Sequence, residues 1–224
     1  MSDGVPGLGV ANAALQGGAP DVALRISIEN LARNPQDVPF LLVRAEALAA
    51  LGQANEADAA YRQVLALDRE SADARMGLGR LALNTDPATA ETLFLEVLAR
   101  EPRNAKALND LGIARDLRGR HADAQDAYRR ALGVAPSMQA ATVNLALSLA
   151  MSGRAADGLK LLGQLGPTQR ATPKLRHDMA AVHAMAGDRA GAEALLSADL
   201  PPSELDRTLH EYEALRSAAT GATP

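Results

Sequence analysis

Four histidines, two closely spaced glycines, scattered serines and a run of carboxylates are the side chains in this sequence whose types could do chemistry. A metal held on one helix needs histidines three or four residues apart, because that spacing puts both rings on one face. His121, His177, His183 and His210 offer no such pair, and His177 and His183, six apart, point to different faces. They read as structural histidines with satisfied hydrogen bonds. Gly77 and Gly79 in MGLGRL imitate a phosphate-cradling loop, but that loop follows a strand, and these glycines sit inside a helical pattern. Ser148, Ser152 and Ser197 lack the strand-to-helix elbow that exposes a nucleophilic hydroxyl. Asp110, Asp116, Asp123 and Asp126 read as solvated faces and turns. The absence of cysteine excludes disulfides, thiolate metal sites and a cysteine nucleophile. No catalytic residue, metal or cofactor is expected.

The elements that would position any site are helical. Hydrophobic residues make up 47% of the 224, yet only 2% are aromatic, so the core is built from Ala, Leu and Val, a helix-forming inventory without strand-like runs. With 23 basic and 27 acidic residues dispersed along the chain and a formal charge of −4, no electrostatic footprint for nucleic acid is present. The opening MSDGVPGLGV lacks the charged flank and apolar core of a signal peptide, and no apolar run is long enough to span a membrane.

Self-comparison yields a period. Small residues stand at Ala11, Ala45, Gly79, Gly112, Ala146 and Ala180, and a second series keeps step at Ala23, Ala57, Ala90, Ala124, Gly158 and Ala192. Within each series the spacing is about 34 residues, with one shared single-residue deletion between Gly79 and Ala90. Gly18, Gly52, Gly119, Gly153 and Gly187 fall where a first helix would end in a left-handed cap. In the shortened unit that place is taken by Asn84 to Pro87, with Asp86 as helix cap and Pro87 in the first turn. Four residues beyond the second series lie Tyr61, Phe94, Tyr128, Leu162 and Leu196, on the same helix face as their small neighbours. Pro35, Pro102 and Pro136 close three units. Each unit is helix A, turn, helix B, stop. Because one unit cannot bury its own apolar face, neighbours must stack, predicting an all-α, right-handed solenoid of a single continuous domain.

The pattern resembles the tetratricopeptide repeat (TPR), and residues 105–138 match its consensus through Leu111, Gly112, Gly119, Ala124, Tyr128, Ala131 and Pro136. About six units are expected, near 4–37, 38–71, 72–104, 105–138, 139–171 and 173–200, the first with a glycine-rich, weak helix A. The carboxyl half further resembles the TadD-like assembly proteins of the tight-adherence (Flp) pilus. The stretches that carry this are ALNDLGIARDLRGRHADAQDAYRRAL, NLALSLAMSGRAADGLKLL and the ending from ATPKLRHDMAAVHAMAGDRAGAEALL through SADLPPSELDRTLHEYEALR. The resemblance implies a non-enzymatic factor in pilus or secretion-machine assembly, working near the outer-membrane secretin. Members carry a lipoprotein signal with its cysteine, absent here. The implied location is the periplasmic side of the outer membrane where such a signal has been trimmed, and the cytoplasm otherwise.

In a TPR superhelix helix A forms the concave wall. Its outward face here comprises Leu42, Glu46, Met76, Arg80, Leu83, Lys106, Asn109, Ile113, Asp116, Asn144, Leu147, Met151, His177 and Met185, the expected partner-binding residues. The methionines suit either packing or an adaptable contact surface. Arg80, Asn109 and Asn144 suit either packing or hydrogen bonds to a bound backbone, since mid-helix asparagine has poor propensity and needs another reason. Lys106 with Asn109 resembles part of the clamp by which co-chaperone TPRs hold a terminal carboxylate, without its companion positions. After Pro201 and Pro202, Ser203 with Asp206 resembles a capping box, and Leu205, Leu209, Tyr212 and Leu215 recur at helical spacing. Residues 201–216 therefore read as a capping helix and 217–224 as a flexible tail. A regulatory or co-chaperone-like adaptor and a self-associating module are the competing functions.

Overall fold

The computed structural model describes residues 7–165 and 172–220 and is all-α. Thirteen helices lie among the described residues. In chain order they are α1 (Leu8–Gln16), α2 (Pro20–Leu31), α3 (Val38–Ala50), α4 (Ala54–Leu67), α5 (Ala72–Ala82), α6 (Pro87–Arg100) and α7 (Ala105–Leu117). Then follow α8 (His121–Val134), α9 (Gln139–Met151), α10 (Ala155–Leu162), α11 (Pro173–Met185), α12 (Arg189–Leu196) and α13 (Pro202–Thr220). The chain forms two compact units, Met1–Pro102 and Arg103–Pro224.

Local chemistry fixes the boundaries. Asp37, Ser71, Asp86, Asn104, Thr172 and Asp188 each accept a backbone N–H from the first turn of the helix they precede, satisfying one of the donors a helix start leaves unpaired. Asp86 and Pro87 thus open α6 as the shortened turn requires. Helix α7 ends in a Schellman turn: Arg120 N–H reaches Arg115 C=O at 2.9 Å and Gly119 N–H reaches Asp116 C=O at 2.9 Å. Gly119 stands at φ 70°, a conformation that costs a residue with a Cβ roughly 1–2 kcal/mol. Gly18, Gly52, Gly153 and Gly187 repeat the same sign of φ.

The ladders are the core. Ala11, Ala45, Ala146 and Ala180 from the first, and Ala23, Ala57, Ala90, Ala124 and Ala192 from the second, are fully buried. Aromatics fill the space left by absent side chains. A Cβ on Gly79 would lie 2.4 Å from the Phe94 ring, and one on Gly77 2.2 Å from Tyr61. Those two glycines are therefore close-packing positions within α5. Removing a ring as buried as Phe94 would cost about 3–5 kcal/mol.

Several expectations are corrected. Helix α1 forms despite Gly9, because Ala and Leu favour a helix enough to offset one glycine's ~1 kcal/mol, and Ala11 buries against Ala23, Val43 and Ala47. Ser203 lies inside the first turn of α13, and the Asp206 carboxylate accepts from Arg189 Nη2 at 2.9 Å, so Asp206 is spent on an ion pair with α12. The same arginine donates through Nη1 to Glu213 at 2.8 Å, forking α12 onto α13. Helix α13 runs to Thr220, past the expected end at 216, since Ser217, Ala218 and Ala219 sustain helical propensity. It packs against α11 and α12: Leu209 is buried among Ala180, Ala184, Ala192 and Leu196. The expected start of the first unit at Gly4, the end of the fifth at 166–171 and the tail residues 221–224 lie outside the described residues.

Candidate partner-binding site

In the second unit, the A helices α7, α9 and α11 border a cavity of about 350 Å³. Its walls are Ile113, Leu117, Leu147 and Met151, and its polar lining is Asp116, Tyr128, Asn144, Lys174 and Asp178. Leu117 and Met151 are 51% and 39% exposed at its edge. The volume lies at the small end of the roughly 300–1,000 Å³ typical of ligand pockets, a size suited to one or two side chains of a partner.

Asp116 organises the polar side. Tyr128 Oη donates to its Oδ2 at 2.9 Å, Ser148 Oγ to its Oδ1 at 2.7 Å, and His121 Nδ1 lies 2.8 Å from Oδ1. One carboxylate thereby ties α7 to α8 and α9. Burial raises the Asp116 pKa from its ordinary value, and the three hydrogen bonds pull it partly back. Burial pushes the Tyr128 phenol up strongly, helped by the Asp116 charge beside it. Serine, histidine and aspartate meet here, but Ser148 donates to the carboxylate and not to the imidazole, so this is no nucleophile–base pair. The expectation that Asp110 and Asp116 are solvated is corrected: Asp110 is 7% exposed and the Asp116 side chain 14%. His121, His183 and His210 bond Asp116, Asp188 and the Asp206 carbonyl, as structural histidines should.

Of the expected partner-binding residues, Ile113, Asp116, Asn144, Leu147 and Met151 converge on this cavity. Asn109 stands behind them, 5% exposed, accepting from Asn144 Nδ2 at 2.9 Å and donating to Asp110 at 3.1 Å. Met185 is spent on packing with Val143, Leu162, Met179 and Val182. Lys106 is exposed and His177 half-buried, and neither lines the cavity. In the first unit Met76 is 4% exposed, Leu42, Glu46 and Leu83 are half-buried and Arg80 is exposed. Tyr61 sits between the Glu46 and Arg80 charges, and burial pushes its phenol up to about 12. The first unit's own cavity, about 370 Å³ between α4, α5 and α6, contains none of the expected residues.

Four lining residues lie outside the expected set: Tyr128, which the repeat pattern marks as a packing residue, and Leu117, Lys174 and Asp178. For the last three the period holds the signal. Leu117 precedes Met151 by 34, Asp178 follows Asn144 by 34, and Lys174 follows Lys106 by 68, twice 34. His177, among the expected residues, lies one position before Asp178, which shares Asn144's phase.

A family model described as tetratricopeptide repeat matches residues 42–86, 84–133 and 117–170, more than half of the chain. The uncharacterized protein y4yS of Sinorhizobium fredii (strain NBRC 101917 / NGR234) is 34% identical over 136 residues, 53% of this chain and 75% of that protein. PilW, described as a widely conserved type IV pilus biogenesis factor, superposes with a TM-score of 0.75 at 22% identity over 91% of this chain and 96% of PilW. Pseudomonas aeruginosa PilF gives 0.69 at 18% identity over 92% and 95%. A chain of the APC/C hetero-tetramer Cut9–Hcn1 gives 0.79 at 16% identity, over 92% of this chain and 42% of that one. At such identities the likeness is one of fold.

Proposed function

Because the chain belongs to the tetratricopeptide-repeat family, an architecture of protein-interaction scaffolds, we propose that it is a non-enzymatic scaffold assisting assembly of a tight-adherence (Flp) pilus or related secretion apparatus. It holds a peptide or helix of a protein partner against the A helices of its second unit. The observation that carries this reading is the cavity between α7, α9 and α11, where the exposed side chains of Leu117 and Met151 flank a recess backed by a fixed hydrogen-bond network. Apolar side chains held open on a rigid wall gain most when a partner covers them. The ending SADLPPSELDRTLHEYEALR supports the pilus context by its TadD-like character, as does the shared fold with pilus biogenesis proteins. No described helix is long and apolar enough to cross a membrane.

The test places a photo-crosslinking amino acid at Leu117 and irradiates cells that make the pilus. Adducts with the secretin or another pilus-assembly component, identified by mass spectrometry, are the expected result. Adducts confined to cytosolic chaperones would sink the assembly role.

A further inference from the structure

The polar lining of the second-unit cavity is unbalanced between donors and acceptors. A carboxylate offers about four lone-pair positions, and three on Asp116 are taken by Tyr128, Ser148 and His121. That leaves one acceptor position by count. Tyr128 turns its hydroxyl proton to Asp116, and Asn144 directs one of its two amide N–H donors at Asn109 behind it. The Asn144 side-chain oxygen Oδ1 accepts from no donor among the described residues. Asp178 adds a second carboxylate, 22% exposed. Its ion-pair partner Lys174, 2.8 Å away, is the cation of the lining, and its side chain is 82% exposed. The carboxylates are thus the more buried groups, and Lys174 pairs with Asp178 from the solvent side. Around them the walls are Ile113, Leu117, Leu147 and Met151.

An apolar sleeve with acceptors at one side complements a group that has a long aliphatic stem and donors only. Lysine has three N–H donors and arginine five, with no acceptor on either, and both stems bury readily along apolar surface. A glutamate would meet two carboxylates in a partly desolvated recess. A leucine would fill the sleeve but leave the acceptors covered and unpaired. We infer that the cavity takes a Lys or Arg side chain of the protein partner, its stem against Leu147 and Met151 and its cationic head toward the carboxylates of Asp116 and Asp178. This rests on the scaffold reading of the cavity and adds the chemistry of what enters it: a basic residue flanked by an apolar one on an amphipathic segment.

The experiment selects a random peptide display library on the full chain, with the Met151→Arg variant as the blocked control. Met151 stands at the exposed mouth, so the substitution supplies a competing cation there without entering the core. Peptides retained by the wild type and released by Met151→Arg are expected to carry Lys or Arg within one helical turn of Leu, Ile or Met. Replacing that basic residue by norleucine in the purified peptide should weaken binding roughly tenfold, as should Asp178→Asn in the protein. The peptide substitution leaves the protein untouched, so it decides the matter even where the Asp178 variant is poorly folded. Retained peptides that are acidic or lack a basic residue, or norleucine versions that bind equally well, would overturn the inference while leaving the scaffold reading in place. Equal retention by both proteins would overturn the two together.

Discussion

A Cβ on Gly112 would lie 2.4 Å from the ring of Tyr128. The ring is 1% exposed and its hydroxyl is fixed on Asp116, so it has little room to retreat. Gly112→Ala gains up to about 1 kcal/mol of helix propensity, but overpacking costs about 1–3 kcal/mol and should win. A lower urea midpoint is expected. The control is Gly133→Ala in α8, where a Cβ meets nothing within 4 Å, and it should hold or raise stability. Ala124→Leu, at a fully buried ladder position, should lose a similar 1–3 kcal/mol.

Gly119 separates backbone strain from packing. A Cβ there also meets nothing within 4 Å, yet φ is 70°. Gly119→Ala should cost about 1–2 kcal/mol purely through the left-handed conformation, and Gly119→Asn less, because asparagine visits that region more readily. Thermal melts ranking the three as Gly, Asn, Ala would bear this out; equal melting temperatures for Gly and Ala would not.

Asn109 and Asn144 form one unit with Asp110. Asn109→Ala removes the acceptor of the half-buried Asn144 amide and one donor to the buried Asp110 carboxylate, at a cost of about 1–3 kcal/mol. Asn144→Ala removes the outer member alone. The double variant should lose less than the sum of the singles, with a coupling of at least about 0.5 kcal/mol. Strict additivity would mean the hydrogen bond is not formed in solution.

The ion pair between Arg176 of α11 and Asp199 after α12 predicts an acid response. Arg176 donates to both carboxylate oxygens and holds Asp199 below its ordinary pKa of 3.8. The stability this supplies is present above the unfolded value and lost as pH falls through the lower folded one. The advantage of the wild type over Asp199→Asn should therefore be seen at neutral pH and shrink below about pH 4. Asp116 acts oppositely: its raised pKa means that protonation in the acid range favours the folded chain and offsets part of the loss. An Asp199→Asn curve parallel to the wild type throughout would show that the pair contributes nothing.

The cap divides into a buried and an open part. Leu209 is 1% exposed and Leu215 49%. Leu209→Ala should cost about 2–5 kcal/mol, and Leu215→Ala should stay within about 0.5 kcal/mol of wild type. Deleting residues after Pro202 uncovers the Ala192 and Leu196 face and should reduce solubility and broaden the unfolding transition. Unaltered monodispersity with an unaltered melt would reject the capping role.

Most of the helical architecture was legible in the sequence because close helix approach demands small residues at fixed intervals, and spacing survives in one dimension. The same intervals lead from Met151 to Leu117, from Lys106 to Lys174 and from Asn144 to Asp178, a signal that the expected set of residues does not use. What spacing could not reveal was the environment of Asp116. Its partners lie 5, 12 and 32 residues away on two further helices, so a side chain that reads as polar surface along the chain becomes a buried hub once α8 and α9 close over it. The Arg189 fork onto α13 escaped for the same reason, and the capping box it displaced was a local pattern overruled by a distant cation.

The sparseness of aromatic residues has a practical side. With no tryptophan, the phenol signals of this chain come from three tyrosines. Tyr61 lies in the core of the first unit, Tyr128 lines the cavity of the second, and Tyr212 packs at the cap. Each therefore serves as a native optical reporter for a different region, and single Tyr→Phe replacements would assign the ultraviolet spectrum to unit, site and cap without attaching a dye.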